Sequence, residues 1–154
     1  MNTQTLIQEF LKLDRFAMIG VSRNPKDFSR MLFKELITKG YDVVPVNPFV
    51  SEIDGKRCYS RVSHIEPKVN GALLMIPKIG SENFIHECAD AGISLVWLYG
   101  ISGPKDVNPQ TLRLCDELGL NVIAGYCPFM VMPTTSWFHQ LHGTVWKMLG
   151  KYPQ

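Results

Sequence analysis

Several things are missing from this sequence, and each absence narrows the field. It has no block of like charge: 16 Lys and Arg stand against 14 Asp and Glu, a net charge of +2. That balance argues against a dedicated nucleic-acid binder and leaves room only for a small local anion site. No apolar run approaches the roughly 20 residues of a membrane span. The opening "MNTQTLIQEFLKLD" lacks the basic start and apolar core of a secretion signal. Cys58, Cys88, Cys115 and Cys127 are scattered, with no C-x-x-C pair. These thiols are expected to be reduced, in a cytoplasmic protein.

What is present is ample apolar material, 45% of 154 residues, enough for one domain burying roughly 70% of its unfolded surface. Three segments look alike: "KGYDVVPV", "AGISLVWLY" and "LGLNVIAG". In each, a glycine (Gly40, Gly92, Gly119) separates a helical pattern from a β-branched apolar run, the place of a left-handed helix-closing residue. "FAMIGV" and "GALLMIP" supply two further runs, making five strands. Runs apolar on both faces belong to parallel sheets.

Between the runs lie helical stripes, Phe28, Met31, Leu32, Leu36 and Ile37 in one and Phe84, Ile85, Cys88 and Ala89 in the next. Asn108 and Pro109 read as the cap and first residue of a third helix. The expectation is an α/β, doubly wound, mostly parallel five-stranded Rossmann-like sheet with helices on both faces. A leading helix is expected over Thr3–Leu13. A closing one is expected over 134–149, apolar around more than one face through Trp137 and Trp146. Such a helix is either well buried or shared with a second subunit, so a homodimer through it is expected.

The stretch "MIGVSRNPKDFSR" reads as a strand through Val21 turning into a helix. Ligands of doubly wound sheets bind beyond the carboxyl ends of the strands. Gly20 allows close backbone approach, Ser22 and Ser29 offer hydroxyls, and Arg23, Lys26 and Arg30 bring charge. Free amides at the helix start suit an anion. A valine at Gly20 is expected to fill the crevice and leave the fold intact. The later glycines of a dinucleotide fingerprint are absent, and Asn47 and Pro48 stand where an acid would hold a ribose. Ile76, Pro77 and Lys78 end one strand, and Leu98, Tyr99 and Gly100 another, as apolar crevice walls.

In order and spacing, "GVSRNPKDFSR", "GYDVVPVNPFVSEIDGKRCYSRVSHI" and "AGISLVWLYGISG" resemble the small stand-alone CoA-binding proteins. Those are similar to the nucleotide-binding domain of the succinyl-CoA synthetase alpha subunit. The resemblance runs from about Asp14 to Tyr126. It implies a coenzyme A or acyl-CoA site. Gly20, Val21, Ser22 and Arg23 would approach the phosphates, with Phe28, Ser29 and Arg30 beside them, and Asn47 and Pro48 would sit at the nucleotide end. Ile76, Pro77, Lys78 and Leu98–Gly100 would border the adenine or the pantetheine arm. The synthetase's phosphohistidine-bearing domain has no counterpart here, so the resemblance implies binding rather than acyl-CoA synthesis.

Catalysis and metal binding find weaker support. Cys127 with His139 or His142 would make a nucleophile and base, but no third orienting group announces itself. The same three residues give C-x11-H-x2-H, short of the four ligands of a structural zinc. His64 and His86 have no evident partner. Three readings therefore stand open: a CoA or acyl-CoA binding module without catalysis of its own, an NAD(P)-dependent oxidoreductase, and a ligand-free dimeric interaction protein.

Overall fold

The computed structural model describes residues 1–132. The closing helix expected over 134–149, the dimer contact assigned to it, and His139 and His142 all lie outside the described residues.

In chain order the elements are α1 (Thr3–Leu11), β1 (Arg15–Ile19), α2 (Phe28–Thr38), β2 (Asp42–Val46), β3 (Glu52–Ile53), β4 (Lys56–Arg57), β5 (Gly71–Leu74), α3 (Glu82–Asp90), β6 (Leu95–Tyr99), α4 (Pro109–Glu117), β7 (Asn121–Tyr126) and α5 (Pro128–Val131). Five strands form one parallel sheet in the order β2-β1-β5-β6-β7. The chain moves outward from β1 to β2, then returns to the other side of β1. That reversal creates a switch point between β1 and β5, where the loops leaving the strands diverge and open a crevice.

Alternation along each strand feeds two cores. In β1, Phe16 and Met18 enter one core while Ala17 and Ile19 enter the other, all essentially inaccessible. α1 and α2 cover the first face. From α1, Phe10 reaches Phe16 and Trp97 at ring distances of 4.8 and 5.3 Å. α3 and α4 cover the second face through Ile85, Cys88 and Cys115. The sheet is thus the doubly wound, five-stranded α/β arrangement expected, with helices on both faces.

Differences from the expected elements have physical causes. β1 stops at Ile19 rather than Val21, because Gly20 turns the chain with φ +89°. On α2, Met31 is 56% exposed and Phe33 fully buried. The helix is rotated because Ser29 and Arg30 make inward hydrogen bonds near its start. Phe84 lies at a rim rather than in the core. The leading helix ends at Leu11, two residues early.

The β3–β4 hairpin was not expected. Its turn is Asp54-Gly55, both at positive φ (48° and 80°), and an Asp-Gly pair is a strong hairpin signal. Pro45 is tolerated in β2 because that strand is the sheet's edge. Tyr59 covers the edge by donating its amide to the Pro45 carbonyl and accepting from the Asn47 amide, both at 3.0 Å. The three helix-closing glycines have φ of +96°, +82° and +72°. Asn108 caps α4, its side chain accepting from the Gln110 amide at 2.9 Å. Among the described residues, no helix is long and apolar enough to cross a membrane.

At the far end of the sheet, Gly125 (φ +80°) packs directly on the main chain of Gly103, whose amide donates to the Gly125 carbonyl at 2.9 Å. A side chain there would collide with the Gly103 carbonyl, whereas one at Gly40 would meet open space. Gly125→Ala should therefore cost about 3 kcal/mol or more, and Gly40→Ala only about 1 kcal/mol from its left-handed backbone. Urea unfolding of both variants checks this; equal losses would contradict the close approach of the two loops.

Candidate functional site

The turn after β1 is held by its own side chains. The Ser22 amide donates to Ser29 Oγ at 2.9 Å, the Asn24 amide to Ser22 Oγ at 3.0 Å, and the Lys26 amide to Asn24 Oδ1 at 3.0 Å. This fixes the loop's shape, but it leaves fewer amides free for an anion than the sequence led us to expect. Gly20 donates its amide to the Val46 carbonyl at 3.2 Å, and Met75 donates to the Ile19 carbonyl at 2.8 Å. A side chain on Gly20 would strike the Met75 carbonyl. The expectation that valine there would block the crevice and spare the fold is therefore corrected: it would strike main chain first.

Two polar residues clamp this corner. Asn47 donates through Nδ2 to the Val21 carbonyl at 2.8 Å and accepts the Phe49 amide at the same distance. It thereby ties the exit of β1 to the exit of β2. Arg30, only 8% exposed, donates to the Ser22 and Arg23 carbonyls at 3.3 and 3.2 Å and pairs with Asp54 at 2.7 Å. Its charge is spent holding the turn from behind. Arg23, by contrast, is exposed and lies 5.7 Å from the ring centre of Phe49, itself 76% exposed.

A cleft of about 440 Å³ opens between the exits of β1 and β2. Gly20, Val21 and Ser22 form one wall and Asn47, Pro48 and Phe49 another; Ser60, Arg61, Phe84 and Glu87 close the side toward α3. Arg61 is bound to Glu87 at 2.7 Å. A separate, smaller cavity of about 40 Å³ lies between the exits of β5 and β6, against α4. Ile76, Pro77, Lys78, Leu98 and Tyr99 line it, as do Ser81 and Thr111.

The anticipated residues therefore divide between two neighbouring hollows. Arg23 stands beside the cleft, and Ser29 and Arg30 support its turn. Phe28 instead packs between the rings of Tyr99 and Phe129, at 5.5 and 5.8 Å. Gly100 is buried where an added Cβ would come within 2.6 Å of Gly125 Cα, so its contact is with main chain. Sequence reasoning missed Phe84 as a rim residue, together with Ser60, Arg61, Glu87, Ser81 and Thr111. These come from elements distant in the chain, and only Ser60 and Arg61 fell inside a stretch that carried the resemblance.

Cys127, the candidate nucleophile, is 2% exposed, and burial raises its thiol pKa despite a hydrogen bond from Tyr99 that lowers it. Burial pushes Cys88 up to about 12 and Cys115 up to about 11. No cluster of three or more potential metal ligands occurs among the described residues. All four cysteines are buried. The folded protein should therefore resist iodoacetamide at pH 8 and label fully in urea, as intact mass would show. Thiols protonated in the fold but ionised in the unfolded chain weaken stability as pH rises past their ordinary value near 8.5. The urea midpoint should accordingly fall from pH 8 to pH 10, and rapid labelling of the native protein would contradict this burial.

Comparison with known proteins places the architecture. The acetate–CoA ligase (ADP-forming) II subunit alpha of Pyrococcus furiosus is 26% identical over 129 residues, covering 79% of this chain and 28% of the subunit. The chain thus spans under a third of the length of the ligases it matches. The uncharacterized protein YneT of Bacillus subtilis is 25% identical over 123 residues, covering 79% of this chain and 87% of that protein. A solved hypothetical protein from Pyrococcus horikoshii superposes with a TM-score of 0.72 at 24% identity, over 82% of this chain and 87% of that one, a likeness of fold. The profile described as "CoA binding domain" matches residues 14–133, most of the sequence, and the chain belongs to the CoA binding domain family.

Proposed function

We propose that this protein binds coenzyme A along the carboxyl edge of its sheet, as a binding or regulatory module without catalysis of its own. The observation that carries the reading is the cleft at the exits of β1 and β2, shaped by Gly20 and Asn47 and bordered by an exposed arginine and an exposed phenylalanine. Family membership supplies the ligand class. The chemistry agrees with it. Phe49 and Pro48 offer flat apolar contact to an adenine, and Arg23, beside Phe49, offers charge to phosphates.

The same geometry disfavours NAD. Its ribose is held by a carboxylate at the end of the second strand of such sheets. Here that place belongs to Asn47, whose amide nitrogen and oxygen are both engaged with main chain. The cytoplasmic location and small-molecule partnership expected from the sequence go with this reading. A binding module also needs no reactive thiol, in keeping with the burial of Cys127.

Ligand-dependent melting tests the reading. At one hundred times its dissociation constant a ligand adds about 2.7 kcal/mol, which raises the melting temperature of a domain this size by roughly 5–10 °C. CoA should give that shift, and dephospho-CoA and NAD smaller ones. Arg23→Ala should reduce the CoA shift toward that of dephospho-CoA. Equal shifts for all three ligands, or none, would remove the proposal.

A further inference from the structure

The smaller cavity contains a mismatch in hydrogen bonding. Ser81 is 4% exposed and Thr111 is 1% exposed, and their hydroxyl oxygens lie 2.7 Å apart. Each hydroxyl carries one hydrogen. The bond between them uses one, whichever side chain donates, and no other side-chain bond of either residue occurs among the described residues. Both line the cavity, whose remaining walls include the apolar side chains of Leu74, Leu98 and Val107. Lys78, Tyr99, Asp106 and Asn108 complete the lining, and a buried donor left without an acceptor is costly. Asp106 is among them, so a neutral carbonyl suits the donor better than a carboxylate.

Cleft and cavity lie on the same side of the sheet. Ile19 and Val46 of the cleft share one core with Leu74, Leu98 and Val107 of the cavity. The first turn of α3 stands between the two, with Ser81 facing the cavity and Phe84, three residues later, facing the cleft. From β2 to β6 is three strand spacings, about 14 Å, a reach suited to the pantetheine arm of a molecule whose nucleotide occupies the cleft. The far end of that arm would arrive at the cavity. A free thiol is a weak acceptor. A thioester places a carbonyl oxygen and a small apolar group at the same point.

We infer that this cavity is an acyl subsite, through which the protein prefers a short-chain acyl thioester of CoA to free CoA, the Ser81–Thr111 pair donating to the thioester carbonyl. The inference rests on the CoA reading above. Size limits the acyl group: a volume of about 40 Å³ is only a few times that needed for one water. Two or three carbons fit, and an aromatic acyl group does not.

Calorimetric titration of the full chain with CoA, acetyl-CoA, butyryl-CoA and benzoyl-CoA tests this, on the wild type and on Thr111→Val and Ser81→Ala. Because the ligands share nucleotide and arm, their affinity ratio reads the cavity alone. Acetyl-CoA should bind the wild type about tenfold more tightly than CoA. Butyryl-CoA should lose that advantage, and benzoyl-CoA should bind no better than CoA. In either variant the acetyl-to-CoA ratio should fall to about one. The wild-type series needs no variant, so a substitution that fails to fold leaves the test intact. CoA binding with no gain for acetyl-CoA, or a gain unchanged in both variants, overturns the acyl subsite and spares the CoA reading. Binding of none of the four overturns both.

Discussion

The close main-chain contact at the exit of β1 governs everything above the sheet. Ile19 and Gly20 are hydrogen-bonded to β5 and β2 on either side, and Gly20 lies so near the Met75 carbonyl that no side chain fits. A turn this tight forces the chain to leave the sheet at once. It rises over the edge before α2 begins, and the cleft is the space left between that turn and the β2 exit. The glycine acts here through packing between strands, and the cleft opens only as a consequence.

Around that contact the protein spends polar groups on shape. Asn47, Ser29 and Arg30 all look like ligand residues in the sequence, yet each is bonded to the main chain of the turn or its neighbour. Arg30 draws its counter-charge from Asp54, at the tip of a hairpin inserted after β2. Burying an arginine without that partner would be strongly destabilising, so hairpin and turn are energetically one unit. What results is a preorganised rim. Under the proposed reading a ligand would not have to order the loop on arrival, which would lower the cost of binding. Arg23 and Phe49, by contrast, stay exposed beside the cleft.

The two hollows differ in character, as the two ends of a nucleotide-linked acyl carrier would require. The cleft is open, bordered by the exposed Phe49 ring with Arg23 against it and by the Arg61–Glu87 pair. The cavity is small, walled by a mixture of apolar and polar side chains, and carries the bonded hydroxyl pair of Ser81 and Thr111. α3 separates them because its first turn packs at the exit of β5, the strand beside the switch point. The arrangement follows from the winding of the sheet, since a helix returning from β5 to β6 must start where β5 ends.

Much of this was legible in the amino-acid order alone. Apolar runs punctuated by glycines determined five parallel strands and the helices between them, because a strand buried on both faces has no room for polar residues. The "NP…G…CY" pattern after the second strand was the most specific part of the resemblance, and Gly20 marked the turn. Local order could not reveal that Met31 faces solvent and Phe33 the core, since both fit a helical stripe and the inward bonds of Ser29 and Arg30 go to segments outside the helix. Nor could it say that Ser81 and Thr111, thirty positions apart, share one cavity, or which basic residues are free. Those outcomes depend on which backbones come within a few ångströms of one another. That is a property of strand order and helix docking, which act between segments and leave no periodic trace within any one of them.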